Sequence, residues 1–185
     1  MNSDRKILPS IAYPAFGTIL LLMIPLIAMQ FTNEVNWTLS DFVIAGTLLF
    51  GTGLTYTLVT RTSGEMMYRI AIGFALFTGL FLIWVNMAVG IIGSENNEFN
   101  LLYSLVIFTG ICGGFISKFK SKGMMLTMFA MAVMQAIIAI IALATGMASA
   151  EESSIFEIIA VNGFFITLFV VAASLFSYAA KASDK

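Results

Sequence analysis

The chain has 185 residues, of which 59% are hydrophobic and 10% charged, with nine basic and ten acidic side chains, a formal net charge of −1 and no histidine. A soluble domain carries about 25% charged residues, so this composition fits lipid as the solvent and leaves no basic surface for nucleic acid. Without histidine there is no bis-histidine haem or histidine-ligated metal, and the single Cys112 supports neither a disulfide framework nor a four-ligand zinc site within one chain.

A spanning helix needs roughly 20 apolar residues, and six charge-free runs reach that length. The first, 11–30, follows Arg5 and Lys6 and ends on Gln30. Its start resembles that of a signal peptide, but no A-x-A-like cleavage site with a polar mature region follows, so it is expected to stay as an uncleaved first helix. The second, 42–60, opens after Trp37 and Asp41 and is rich in glycine and threonine. Gly46, Gly53 and Thr57 share one helical face, which suits close packing; a conduction path lined by hydroxyls is the sharper reading. The third, 70–93, carries Asn86 and leads into 93–100, the densest run of polar acceptors in the chain, with Glu95, Asn96, Asn97 and Asn100.

The fourth run, 99–117, contains Gly110 and Gly114 in a G-x-x-x-G spacing that lets backbones approach closely, either inside the bundle or against a second copy. In the fifth, 123–148, Met124, Met128 and Met131 form a stripe continued by Gln135. Thioethers bind Cu(I), but methionine is an ordinary filler of irregular interfaces and no histidine is present to join it. Gln135, near mid-span, needs a partner within the bundle. The sixth, charge-free over 158–180 in a span of 157–180 that opens on Glu157, includes Asn162.

In hydrocarbon every backbone polar group must be bonded within its segment unless a barrel closes, and continuous apolar runs without period-2 alternation select helices. The expected fold is an all-α integral membrane protein, one domain over 1–185, forming a six-transmembrane-helix bundle. Orientation follows from charge, because Lys and Arg near span ends are kept on the cytoplasmic side. All nine bases, Arg5, Lys6, Arg61, Arg69, Lys118, Lys120, Lys122, Lys181 and Lys185, fall in alternate segments on one side. The three opposite connections hold only acids: Glu34 and Asp41, then Glu95 and Glu98, then Glu151, Glu152 and Glu157. Strict alternation over seven segments places both termini in the cytoplasm and supports the count of six spans. Trp37 and Trp84 toward the outer boundary, with Tyr68 and Tyr178 toward the inner, match an aromatic belt.

Polar residues within spans are costly and usually face a bundle interior or a water-filled cavity. Gln30, Asp41, Asn86, Glu95, Asn96, Asn97, Asn100, Glu157 and Asn162 all belong to the outer third. They are read as the lining of an outward-facing acidic vestibule for a cation or proton, in a small transporter or channel. The alternative is that the amides bond neighbouring helices and the acids are what remains once bases are kept inside, in an accessory or scaffold subunit. No nucleophile with a base and an orienting partner lies in the spans, so the chain reads as non-enzymatic, without catalytic, cofactor or metal residues. Its expected partners are the bilayer and either a second copy or another membrane protein.

The stretches 41–56 (DFVIAGTLLFGTGLTY), 84–103 (WVNMAVGIIGSENNEFNLLY) and 161–165 (VNGFF) resemble a family of small, uncharacterised bacterial inner-membrane proteins with six transmembrane helices. The resemblance runs from the second span to the sixth. It implies a bacterial inner membrane and brings no functional residue with it.

The charge reading predicts a labelling pattern. In a Cys112→Ala background, a membrane-impermeant maleimide added to intact cells should label Asn96→Cys and not Lys120→Cys; labelling of Lys120→Cys alone would invert the topology.

Overall fold

The computed structural model describes residues 4–61, 63–147 and 153–183, which contain helices and no strands. Glu151, Glu152 and Lys185 of the charge pattern, and the last residue of the fifth run, lie outside the described residues. Six helices are long and apolar enough to cross a membrane. They are α1 (Asp4–Phe31), α2 (Leu39–Thr60), α3 (Met66–Ala88), α4 (Ser104–Ile116), α5 (Ser121–Ala144) and α6 (Ile155–Ser183). A 3-10 turn, Glu98–Tyr103, runs directly into α4, so the fourth candidate span is Glu98–Ile116. The chain divides into two compact units, Met1–Gly64 and Glu65–Lys185.

In the first unit α1 packs on α2. The Cβ that a side chain at Gly53 would bring lies 3.2 Å from Pro14 Cβ, and one at Gly46 lies 3.3 Å from Leu22 Cδ1. The glycine face of α2 is therefore the face that meets α1. The threonine hydroxyls are also spent locally: Thr47 donates to Val43 O at 2.7 Å, Thr55 to Gly51 O and Thr57 to Gly53 O at 2.8 Å, and Thr60 to Tyr56 O at 2.7 Å. Bonding back to the preceding turn is how a hydroxyl is satisfied without water. These four donors are not left free to line a path.

In the second unit α6 packs on both α3 and α5, and α4 packs on α5. Aromatic rings link α3 to α6, with Tyr68 edge-on to Phe176 at 6.1 Å and Phe81 tilted on Phe165 at 5.7 Å. Glycine links α4 to α5. A Cβ on Gly110 would lie 2.8 Å from Met131 Sδ, one on Gly113 would overlap the Thr127 side chain, and one on Gly114 would lie 3.0 Å from the Phe119 ring. The G-x-x-x-G pair is thus filled from within the unit. Met124, Met128 and Met131 are buried too, Met131 against Gly110.

The turn from α4 to α5 is tight: Lys118 and Phe119 have φ of 50° and 56°, a region costing an L-residue roughly 1 kcal/mol or more. Phe119 N donates to Gly114 O at 3.0 Å, and the Tyr68 hydroxyl reaches across from α3 to donate to Phe119 O at 2.5 Å. The tertiary bond holds a conformation the local sequence does not favour.

The apolar run 70–93 predicts a helix to its end, but α3 stops at Ala88. Gly90 turns the chain out with φ 79°, and its absent Cβ would lie 2.5 Å from the Ser94 carbonyl. Ile91 and Ile92 then fold back into the core at 4% and 0% exposure. Hydropathy is blind to this break, because a buried apolar loop and a buried helix have the same composition.

Candidate functional site

The nine polar residues picked out in the sequence fall into several settings. Gln30 and Asp41 belong to the first unit. Gln30 is exposed, with its Nε2 3.5 Å from Leu26 O. Asp41 closes a capping box: its Oδ2 accepts from Thr38 N at 2.7 Å, while Thr38 Oγ1 accepts from Asp41 N at 3.4 Å. Glu157, in the second unit, does the same work at the start of α6, accepting from Ser154 N at 2.8 Å and donating its own N–H to Ser154 Oγ at 3.2 Å. A carboxylate in a first turn satisfies otherwise unpaired amides and opposes the positive end of the helix dipole. Both acids are explained by the helices they start.

Glu95 and Asn96 are exposed, and Asn96 Nδ2 donates to Glu95 Oε1 at 3.2 Å. Asn97 caps the 3-10 turn by accepting from Phe99 N at 2.9 Å. Around them lies an open concavity of about 870 Å³, lined by Ser94, Asn96, Asn97, Glu98, Phe99 and, beyond α5, Met147.

Asn100 is 3% exposed and acts as the clasp of this loop. Its Oδ1 accepts from Ile91 N at 3.1 Å and Ile92 N at 3.0 Å; its Nδ2 donates to Ile92 O at 3.0 Å and Ser94 O at 2.8 Å. Both lone pairs and both protons of the carboxamide are used. Its backbone carbonyl takes a further bond from Asn86 Nδ2 at 3.1 Å, and Gly93 N donates to Ser153 Oγ at 2.8 Å. One asparagine thus replaces the helical hydrogen bonds that Gly90 ends.

One turn further on, Tyr103 enters a second network wholly inside the unit. Its hydroxyl donates to Asn162 Oδ1 at 3.0 Å, and Gln135 Nε2 donates to the same oxygen at 3.0 Å. Asn162 Nδ2 donates to Ile158 O at 2.8 Å. Tyr103, Gln135 and Asn162 are each at most 1% exposed. The Ile158 carbonyl fixes which way the Asn162 amide points, because a flip would set two oxygens against each other. That orientation aims Oδ1 at Tyr103 and requires Gln135 to present its nitrogen. Gln135 Oε1 is then left buried with no hydrogen-bond partner, as is Asn86 Oδ1. A polar atom in that condition costs about 1–3 kcal/mol.

The sequence places Asn100 and Asn162 among vestibule-lining residues; both lie in the closed interior, and Asn162 meets Tyr103 and Gln135 there. Tyr103 escaped notice in the sequence because tyrosine counts as apolar in a hydrophobic run, although a buried phenol needs a partner. Ser153 was missed as well, since no local pattern ties a connection to a loop 60 residues earlier. Polar groups now run in a line from the concavity inward: Ser94 to Asn100, one 3-10 turn to Tyr103, then Asn162 and Gln135. Among the described residues no cluster of three or more Cys, Asp or Glu side chains is placed to hold a metal ion. No protein-family model, curated protein or solved structure matches the chain.

The clasp is directly testable. Asn100→Leu leaves two amides and two carbonyls without their side-chain partner, so the apparent stability in detergent should fall by about 2 kcal/mol or more, with faster proteolysis within 90–98. An unchanged melt and cleavage pattern would remove Asn100 from this role.

Proposed function

We propose that the protein is a six-span membrane protein of the bacterial inner membrane with both termini in the cytoplasm, and that it works as a small transporter or channel. The observation that carries this reading is the line of neutral polar groups ending on Gln135, sealed inside helices of spanning length. Such groups are expensive where the solvent is hydrocarbon, and they face either a bundle interior or a water-filled path. At the outer mouth, Glu95 and Glu98 set a negative field that gathers a cation or proton. Inside, the carboxamides and the Tyr103 hydroxyl offer hydrogen bonds in a region where no described Asp, Glu, Lys or Arg is buried. A proton crossing there needs water as its carrier, because the line has no acid–base group suited to relay it.

A second reading, an accessory or scaffold subunit, draws on the first unit. Ala45 and Thr60 are the buried residues of α2, and large side chains along α1 such as Ile24 are well exposed, at 64%. A face of that kind takes lipid or a neighbouring helix equally well.

Flux measurements separate the two. Proteoliposomes should carry a proton or monovalent-cation flux above that of empty liposomes, with Gln135→Leu lowering it at least tenfold and Glu95→Gln lowering it more modestly at low salt. Flux indistinguishable from empty liposomes under several gradients would sink the transport reading in favour of the scaffold.

A further inference from the structure

We infer that Gln135 Oε1 binds a water molecule inside the second unit, with Asn86 Oδ1 a further acceptor for water on the same polar line. The inference deepens the transport reading and identifies what occupies the inner end of the proposed path.

Three observations converge on water. First, Gln135 is 0% exposed and its Oε1 has no partner, and an internal water is the ordinary means of satisfying a buried polar atom in a polar site. Second, the orphan is not an artefact of a reversed amide. Asn162 Nδ2 is committed to Ile158 O, so Asn162 presents only an acceptor, and Gln135 must spend its nitrogen on it. The tyrosine hydroxyl is committed to that acceptor as well, which leaves Oε1 waiting for a donor from outside the triad. Third, the unpartnered atoms, Gln135 Oε1 in the triad and Asn86 Oδ1 beside the Asn100 clasp, are both oxygens. Gln135 Oε1 lacks a donor and its Nε2 makes one of the two bonds it can donate, so the fitting molecule both donates and accepts, and no described carboxylate is buried beside it to balance a dehydrated cation. Water meets both conditions at the smallest size.

The sequence makes the test clean, because Gln30 and Gln135 are the chain's two glutamines. Protein labelled with 15N-glutamine in lipid nanodiscs gives two side-chain amide pairs, and Gln30→Asn removes one of them and so assigns the other. The Gln135 pair should show a magnetisation-transfer cross-peak to water. That peak should persist when a gadolinium chelate in the aqueous phase bleaches the water contact of exposed Gln30. A Gln135 pair without any water cross-peak, while Gln30 shows one, overturns the inference. The two readings fail separately: a hydrated Gln135 in a protein without flux keeps the water site and removes the transporter, whereas flux with a dry Gln135 does the reverse.

Discussion

In an apolar interior a carboxamide oxygen left without a donor is costly, and in this chain Asn162 Oδ1 is satisfied twice, by Tyr103 from the turn leading into α4 and by Gln135 from α5. Since Asn162 stands on α6, one oxygen atom ties three elements together. Direction comes from the Ile158 carbonyl, one turn back on the same helix, which accepts from Asn162 Nδ2 and leaves the oxygen facing inward. Each such bond contributes about 1 kcal/mol net, and bonds between membrane helices average near the low end of that range. The larger effect is on register. Sliding α5 or rotating the Tyr103 turn would strand a buried polar group, so the triad selects one packing of otherwise interchangeable apolar faces. Where lipid is the surrounding solvent, apolar contact alone discriminates poorly between arrangements, and glycine contacts such as Gly110 on Met131 set distance while the triad sets alignment.

The same constraint separates polar residues that complete the fold from those that remain available. Asp41 and Glu157 are used up by helix starts, and Asn100 by its loop. What remains is narrow: the exposed loop around Glu95 and Asn96, the unpartnered Asn86 Oδ1 beside the Asn100 clasp, and the unpartnered Gln135 Oε1 in the buried triad. Function in this reading rests on what the fold leaves unsatisfied, which is a smaller set than the sum of its polar side chains.

The six apolar helices were legible because length and continuous hydropathy specify a spanning helix with little reference to the rest of the chain. Their starts follow the apolar runs less closely: α2 begins at Leu39 against 42 and α6 at Ile155 against 157, but α1 begins at Asp4 against 11. The end of α3 was not legible, since 89–92 is as apolar as the helix before it and its turn depends on Asn100 arriving from eight or nine residues away. The need of Gln135 for a partner could be argued from its depth in an apolar run; the identity of that partner, 27 residues distant, could not. Asn86 and Asn162 looked equivalent in the sequence, each an amide in the outer part of a span. Packing made Asn162 the centre of the triad and turned Asn86 toward the Asn100 carbonyl. A single sequence records that a polar group is buried, and only the tertiary arrangement decides which other group answers it.

The central claim, that Asn162 Oδ1 is the shared acceptor holding these elements in register, is tested most directly by a double-mutant cycle on Tyr103→Phe and Asn162→Leu, read as unfolding free energy in mild detergent. Tyr103→Phe should cost about 0.5–1.5 kcal/mol in the wild-type background and close to nothing beside Asn162→Leu. An equal cost in both backgrounds would mean the two side chains do not interact, and would contradict that claim.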